Sequence, residues 1–175
     1  MVPIVTPPPV LRNKYIPRET KLLKLEGKSP DEPVKPAELR LAAMDFLARR
    51  EHSRAELLEK LGRRFEKTQL EPVLDALADE GLQSDKRFAE SFVRHRALRG
   101  YGPVRIRQEL RQRGVSDSDV AQAFESNAIN WLDILGDVVY RKYDAPPADL
   151  KEKARRQRFL QYRGFSHDQI RDVLE

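Results

Sequence analysis

The sequence predicts an all-α chain of three tandem three-helix repeats in an elongated, curved array, preceded by a mobile N-terminal arm. Three observations lead there. After position 36 the apolar residues recur at helical spacing, and no stretch sustains the period-2 alternation of a strand. Serine caps, glycines and prolines divide this part into nine helical segments. Residues 107–124, laid over 157–174, match in kind: Leu110 with Leu160, Arg113 with Arg163, Gly114 with Gly164, Val115 with Phe165, Ser116 with Ser166, Val120 with Ile170 and Phe124 with Leu174.

Residues 1–36 hold eight of the twelve prolines and mix charges without periodicity, which predicts a mobile arm. Pro36 opens a helix to about Arg50, with Leu39, Ala43, Phe46 and Leu47 on one face. Ser53-Arg-Ala-Glu56 reads as a capping box for a helix to about Arg63, and Thr68-Gln-Leu-Glu71 as a second box, for a helix ending at Gly81. Ser84 caps a helix to about Arg99 whose apolar residues are Phe88, Phe92, Val93 and Leu98. Gly100-Tyr101-Gly102-Pro103 ends it and starts the next, which Gly114 stops. Ser116 caps a helix to about Ser126, and helices over 130–143, 147–163 and 167–174 complete the set. The predicted units are the arm at 1–36 and repeats at 37–83, 84–126 and 127–175. The first repeat, with Leu61, Arg64, Phe65, Leu70 and Leu74, aligns with the others only if one residue is dropped, the glycine of that turn. Each repeat is too short to bury a large core alone, so neighbours must cover one another.

Composition narrows the function. The 175 residues contain no cysteine, which excludes disulfides, thiolate nucleophiles and Cys-based zinc sites. His52, His95 and His167 lack ligand spacing, so no metal or other cofactor is expected. Neither a phosphate-binding glycine loop nor a Ser–His–Asp pattern is present, so no enzyme is predicted. No stretch is long and apolar enough for a membrane span. The first ten residues lack a basic region and are broken by proline, so we expect no signal peptide and a cytoplasmic protein, acting as a monomer.

The net charge is only +5, but it is unevenly spread. Residues 37–83 carry 8 basic and 10 acidic side chains, and residues 84–126 carry 9 and 6. Between positions 94 and 113, Arg94, Arg96, Arg99, Arg105, Arg107, Arg111 and Arg113 face Glu109 alone. Arginine's planar fork suits phosphates and carboxylates. Arg107 and Arg111 share a helix face, where their repulsion would be relieved by an anionic partner. The glycines around Tyr101 permit a turn that presents its ring to a base or a protein pocket; the alternative is that the ring packs on the repeat. A second cluster holds Lys153, Arg155 and Arg156, with Lys151, Arg158 and Arg163 beside it.

Gly81-Leu82, Asp85-Lys86-Arg87-Phe88-Ala89, Gly100-Tyr101-Gly102-Pro103, Ile106-Arg107-Gln108-Glu109-Leu110 and Arg113-Gly114-Val115-Ser116 together resemble the central signature of the RecX family, and residues 158–165 resemble its last repeat. The likeness spans roughly residues 38–175. Ser84 stands where the family pattern usually has aspartate, a comparable N-cap. The resemblance implies a protein that binds the RecA filament on single-stranded DNA, along the filament's deep groove, and inhibits its ATP hydrolysis, growth and strand exchange. The candidate filament-binding residues are then Arg94, Arg96, Arg99, Tyr101, Arg105, Arg107, Arg111, Arg113, Lys153, Arg155 and Arg156, with weak duplex contact also allowed. Two other readings remain: a helical protein that binds DNA or RNA without RecA, and a passive adaptor with no nucleic-acid role.

Overall fold

A computed structural model describes residues 35–174, and the predicted arm, up to residue 34, lies outside them. Nine helices follow in order among the described residues: α1 Pro36–Leu47, α2 Arg54–Leu61, α3 Lys67–Asp79, α4 Asp85–Leu98, α5 Pro103–Gln112, α6 Asp117–Asn127, α7 Trp131–Lys142, α8 Leu150–Arg163 and α9 His167–Leu174. No strand occurs among them. They bury three separate apolar cores. Leu39, Ala43, Leu57, Leu61, Phe65, Leu70, Leu74 and Leu77 fill the first, under α1–α3. Phe88, Val93, Ile106, Leu110, Val115 and Val120 anchor the second, under α4–α6, and Leu135, Leu160, Phe165 and Ile170 the third, under α7–α9. No helix among the described residues is long and apolar enough to cross a membrane.

Local chemistry explains the boundaries. The hydroxyls of Ser53, Ser84 and Ser116 accept from the backbone N–H groups of Glu56, Arg87 and Asp119. The last box is reciprocal: Ser166 Oγ accepts from Gln169 N–H, and Gln169 Oε1 accepts from Ser166 N–H.

Several expectations are corrected. Thr68 caps nothing, because α3 already begins at Lys67 behind Glu66. Pro72 therefore lies inside the helix rather than in its first turn; it is exposed, so the Thr68 carbonyl it leaves without an N–H partner faces solvent. Helix α1 stops at Leu47 and α2 at Leu61, each short of its predicted end. Helix α8 starts at Leu150 rather than Pro147, where Asp149 accepts from Glu152 N–H and Glu152 reaches back to Ala148 N–H. Leu98 is 71% exposed. The buried row of α4 runs Phe88, Ala89, Val93, Ala97, so a small residue takes the inward position and Leu98 falls outside it.

Candidate functional site

The basic stretch between Arg94 and Arg113 surrounds a junction between the second and third cores. Gly102 N–H donates to Arg163 O at 2.8 Å, and Val104 N–H donates to Gly164 O at 3.0 Å. This approach requires glycine on both sides. A Cβ on Gly102 would lie 2.3 Å from Gly164 O, and one on Gly164 would lie 2.3 Å from Arg105 Cβ. Gly164 also has φ +93°, where side chains are strained. The α4–α5 turn thus docks on the α8–α9 turn.

A similar joint links the first and second cores. Ser53 Oγ donates to Arg113 O at 2.8 Å, so the carbonyls of Arg113 and Arg163 are held in like fashion. Arg113 Nε reaches Glu56 at 3.2 Å, and a Cβ on Gly114 would meet Ala55 Cβ at 2.9 Å. Asp85 accepts from Arg54 N–H and Gln83 donates to His52 O, which closes this joint from the other side.

Tyr101 packs against the second core, its ring bordered by the guanidinium carbons of Arg96, Arg105 and Arg163 at 4.0, 4.8 and 5.0 Å from the centroid. Of the two alternatives for this residue, packing is the one observed. Arg163 donates to the carbonyl of Arg99 at 2.9 Å, across the same joint.

Most of the candidate arginines have internal partners. Glu109 accepts from Arg96 through both oxygens and from Arg105 Nε at 2.9 Å. Burial opposes ionisation of Glu109, but the hydrogen bonds from the two arginines outweigh it and hold its carboxyl below the usual carboxylate range. Arg105 also donates to Tyr162 O at 3.1 Å. Arg113 is bound to Glu56 and to Glu109 O. Arg107, half-buried, stacks 3.9 Å above the Phe124 ring. Of Arg105, Arg107 and Arg111 only Arg111 is exposed, and it pairs with Asp117 at 2.7 Å.

In α8, Arg156 is 5% exposed, paired with Glu152, bound to Ala145 O and stacked on Tyr143; its charge is directed inward, not to a partner. Lys153 is half-buried, and Arg155 is exposed with Glu152 at 3.7 Å. Among the candidates, Arg94 and Arg99 project exposed charge without a carboxylate partner; Arg94 meets only Asn127, at 3.4 Å.

Arg99 borders a groove of about 510 Å³ that sequence reasoning missed. Leu98, Ile134, Val138 and Phe159 form its apolar lining, with Arg141 and Lys142 at its edge. Its trace in the sequence is Leu98, an apolar residue that falls beside the Phe88, Ala89, Val93, Ala97 row of α4. Among the described residues no cluster of three His, Asp or Glu forms a metal site.

Comparison with known proteins agrees with this architecture. The family model for the second three-helix domain of RecX matches residues 84–123, and that for the third matches residues 132–174. The regulatory protein RecX of Pseudomonas putida is 48% identical over 141 residues, covering 79% of this chain and 90% of the relative. That of Pseudomonas syringae pv. tomato is 48% identical over 141 residues, covering 79% and 91%. The crystal structure of RecX from Lactobacillus salivarius superposes with a TM-score of 0.64 at 22% identity, over 79% of this chain and 94% of that one, and so shares the fold. With near-half identity across most of both chains, this chain belongs to the RecX family of regulatory proteins.

Proposed function

We propose that this chain binds the filament that RecA forms on single-stranded DNA and restrains its ATP hydrolysis and strand exchange. The observation that carries the reading is the 48% identity to proteins named regulatory protein RecX. Two joined turns, each gripping a backbone carbonyl, would hold the units in register along an extended partner. On this reading the contact surface comprises Arg94, Arg99 and the groove beside Arg99, since the other arginines of this stretch are paired within the chain or stacked.

The test is DNA-dependent ATP hydrolysis by RecA filaments, with wild type beside an Arg94→Glu/Arg99→Glu variant. Both positions are exposed, so stability should change by no more than about 0.5 kcal/mol each. Inhibition by the wild type that the variant loses is the expected result. An inert wild type with an intact helical spectrum would remove the reading, as would equal affinity for filament and bare DNA.

A further inference from the structure

Helix α8 contains six basic residues and one acidic one, Glu152. Four of its positions, Lys151, Arg155, Arg158 and Tyr162, are exposed. They are spaced i, i+4, i+7 and i+11, which places them within about 60° of arc along roughly 16 Å of helix. Arg158 and Lys151 have no carboxylate partner among the described residues, and Glu152, the sole acid, is already bound to Arg156 at 2.7 Å.

The row ends in a groove of about 340 Å³ between α5 and α8. Gln108 and Gln112 from α5 and Gln161 from α8 line it. The Tyr162 ring is 74% exposed and has the Arg105 guanidinium carbon 4.9 Å from its centroid. Glu109, the acid in this groove, is neutralised by Arg96 and Arg105.

We propose that this face of α8 is a binding track for single-stranded DNA, in which Lys151, Arg155 and Arg158 hold phosphates and Tyr162 stacks on a base beside the amides of Gln108 and Gln112, the Gln161 amide being held by the His167 ring. An exposed ring at the end of a cation row is the arrangement that single strands use, since every base has a face to stack. Glutamine amides both donate and accept, as base edges do. An acidic peptide would satisfy the cations but would leave the ring and the amides without a role. A duplex keeps its bases stacked and out of reach of the ring.

The proposal deepens the filament reading and takes from it only the identity of the strand. It is tested without RecA, so that either idea can fail alone. Fluorescence anisotropy of a short oligothymidylate is followed with the full chain, with an abasic strand and a duplex as comparisons and polyglutamate as competitor. Tyr162→Ala should weaken binding about tenfold, within the range of single-base stacking, while Tyr162→Phe should keep it. Replacing Lys151, Arg155 and Arg158 by glutamine should flatten the log-affinity against log-salt slope by about 2, at about 0.7 per phosphate. The abasic strand and the duplex should bind less well than the oligothymidylate. Failure of the wild type to bind it, equal binding of the abasic strand, or an unchanged Tyr162→Ala would overturn the proposal. Displacement by polyglutamate at equal charge concentration would overturn it in favour of an acidic protein partner.

Discussion

Gly102→Ala is the change that most directly probes how the second and third units are joined. Gly102 has φ −84°, so its backbone tolerates alanine and the shorter unfolded-state entropy would by itself stabilise by about 0.4–1 kcal/mol. Space decides the sign. The added carbon would meet Gly164 O at 2.3 Å, Gly164 C at 2.4 Å and Phe165 N at 2.5 Å. All three are backbone atoms, so no rotamer change relieves them. The two turns must part by about 1 Å, and the bonds from Gly102 N–H and Val104 N–H, at 2.8 and 3.0 Å, then exceed hydrogen-bonding range. Each contributes about 1 kcal/mol, and a buried N–H left without an acceptor adds about 1–3 kcal/mol. Set against the entropy gain, the net cost is about 2–4.5 kcal/mol.

The assay is thermal unfolding together with amide exchange at positions 102 and 104. A two-state chain of this size would lose about 4–18 °C; a chain whose third unit uncouples would show a broadened or split transition. Gly81→Ala is the control, since φ is +72° there but the added carbon meets nothing within 4 Å, so only backbone strain of about 1 kcal/mol applies. If Gly102→Ala unfolds with the wild type, or no earlier than Gly81→Ala, the inference that the close turn contact joins the units is refuted.

Three further outcomes are expected. His52 is buried, with Nδ1 3.1 Å from Arg50 O and Nε2 2.9 Å from Lys60 Nζ, a network that fits the neutral ring accepting from the ammonium. Burial, aided by the charges of Arg50 and Lys60, lowers its pKa, so the unfolded chain binds the proton more readily. Its share of stability is full above about pH 6.5 and falls as pH drops below it, and His52→Gln should flatten the stability profile between pH 7 and 5. Glu109 has a lowered pKa, so its contribution is present above the unfolded value of about 4.3 and is lost as pH falls through the lower folded value. Glu109→Gln should cost about 2 kcal/mol in urea unfolding at pH 7, by leaving Arg96 and Arg105 one neutral acceptor oxygen in place of a shared carboxylate, and remove that acid-limb slope. Ala128 sits at φ +44° at the end of α6, so Ala128→Gly should raise stability by about 0.5–1 kcal/mol, read by the same denaturation.

Much of the fold was legible in the sequence because its signals are local. A serine three residues before its N–H donor, or a glycine after the last helical turn, needs no knowledge of the rest of the chain. Where a local signal failed, a tertiary demand had overridden it. The Thr68 box matches its pattern, yet the helix that buries Leu70, Leu74 and Leu77 begins two residues earlier, with Glu66 at its N-cap. The site was less legible because its decisive partners are distant. Arg96 finds Glu109 13 residues away, and Arg113 finds Glu56 and Arg105 finds Tyr162, each 57 residues away. A run of arginines in sequence does not reveal which of them such partners will occupy.

That division gives the family signature a physical meaning. Gly100-Tyr101-Gly102-Pro103 and Arg163-Gly164-Phe165 lie far apart in sequence but form the two halves of one joint. Arg113-Gly114-Val115 repeats the second half, and it docks on Ser53 rather than on a glycine. A hydroxyl in one joint and a backbone N–H in the other hold corresponding carbonyls, so what the two joints share is the glycine turn that accepts. The first unit lacks the glycine of this turn: Arg64 is followed directly by Phe65. In the third unit, Arg156 binds Ala145 O between α7 and α8 and stacks on Tyr143, filling from within the turn that corresponds to the two docking turns. Arginines that the sequence offers as a binding surface therefore serve, in good part, to hold the turns of the array together.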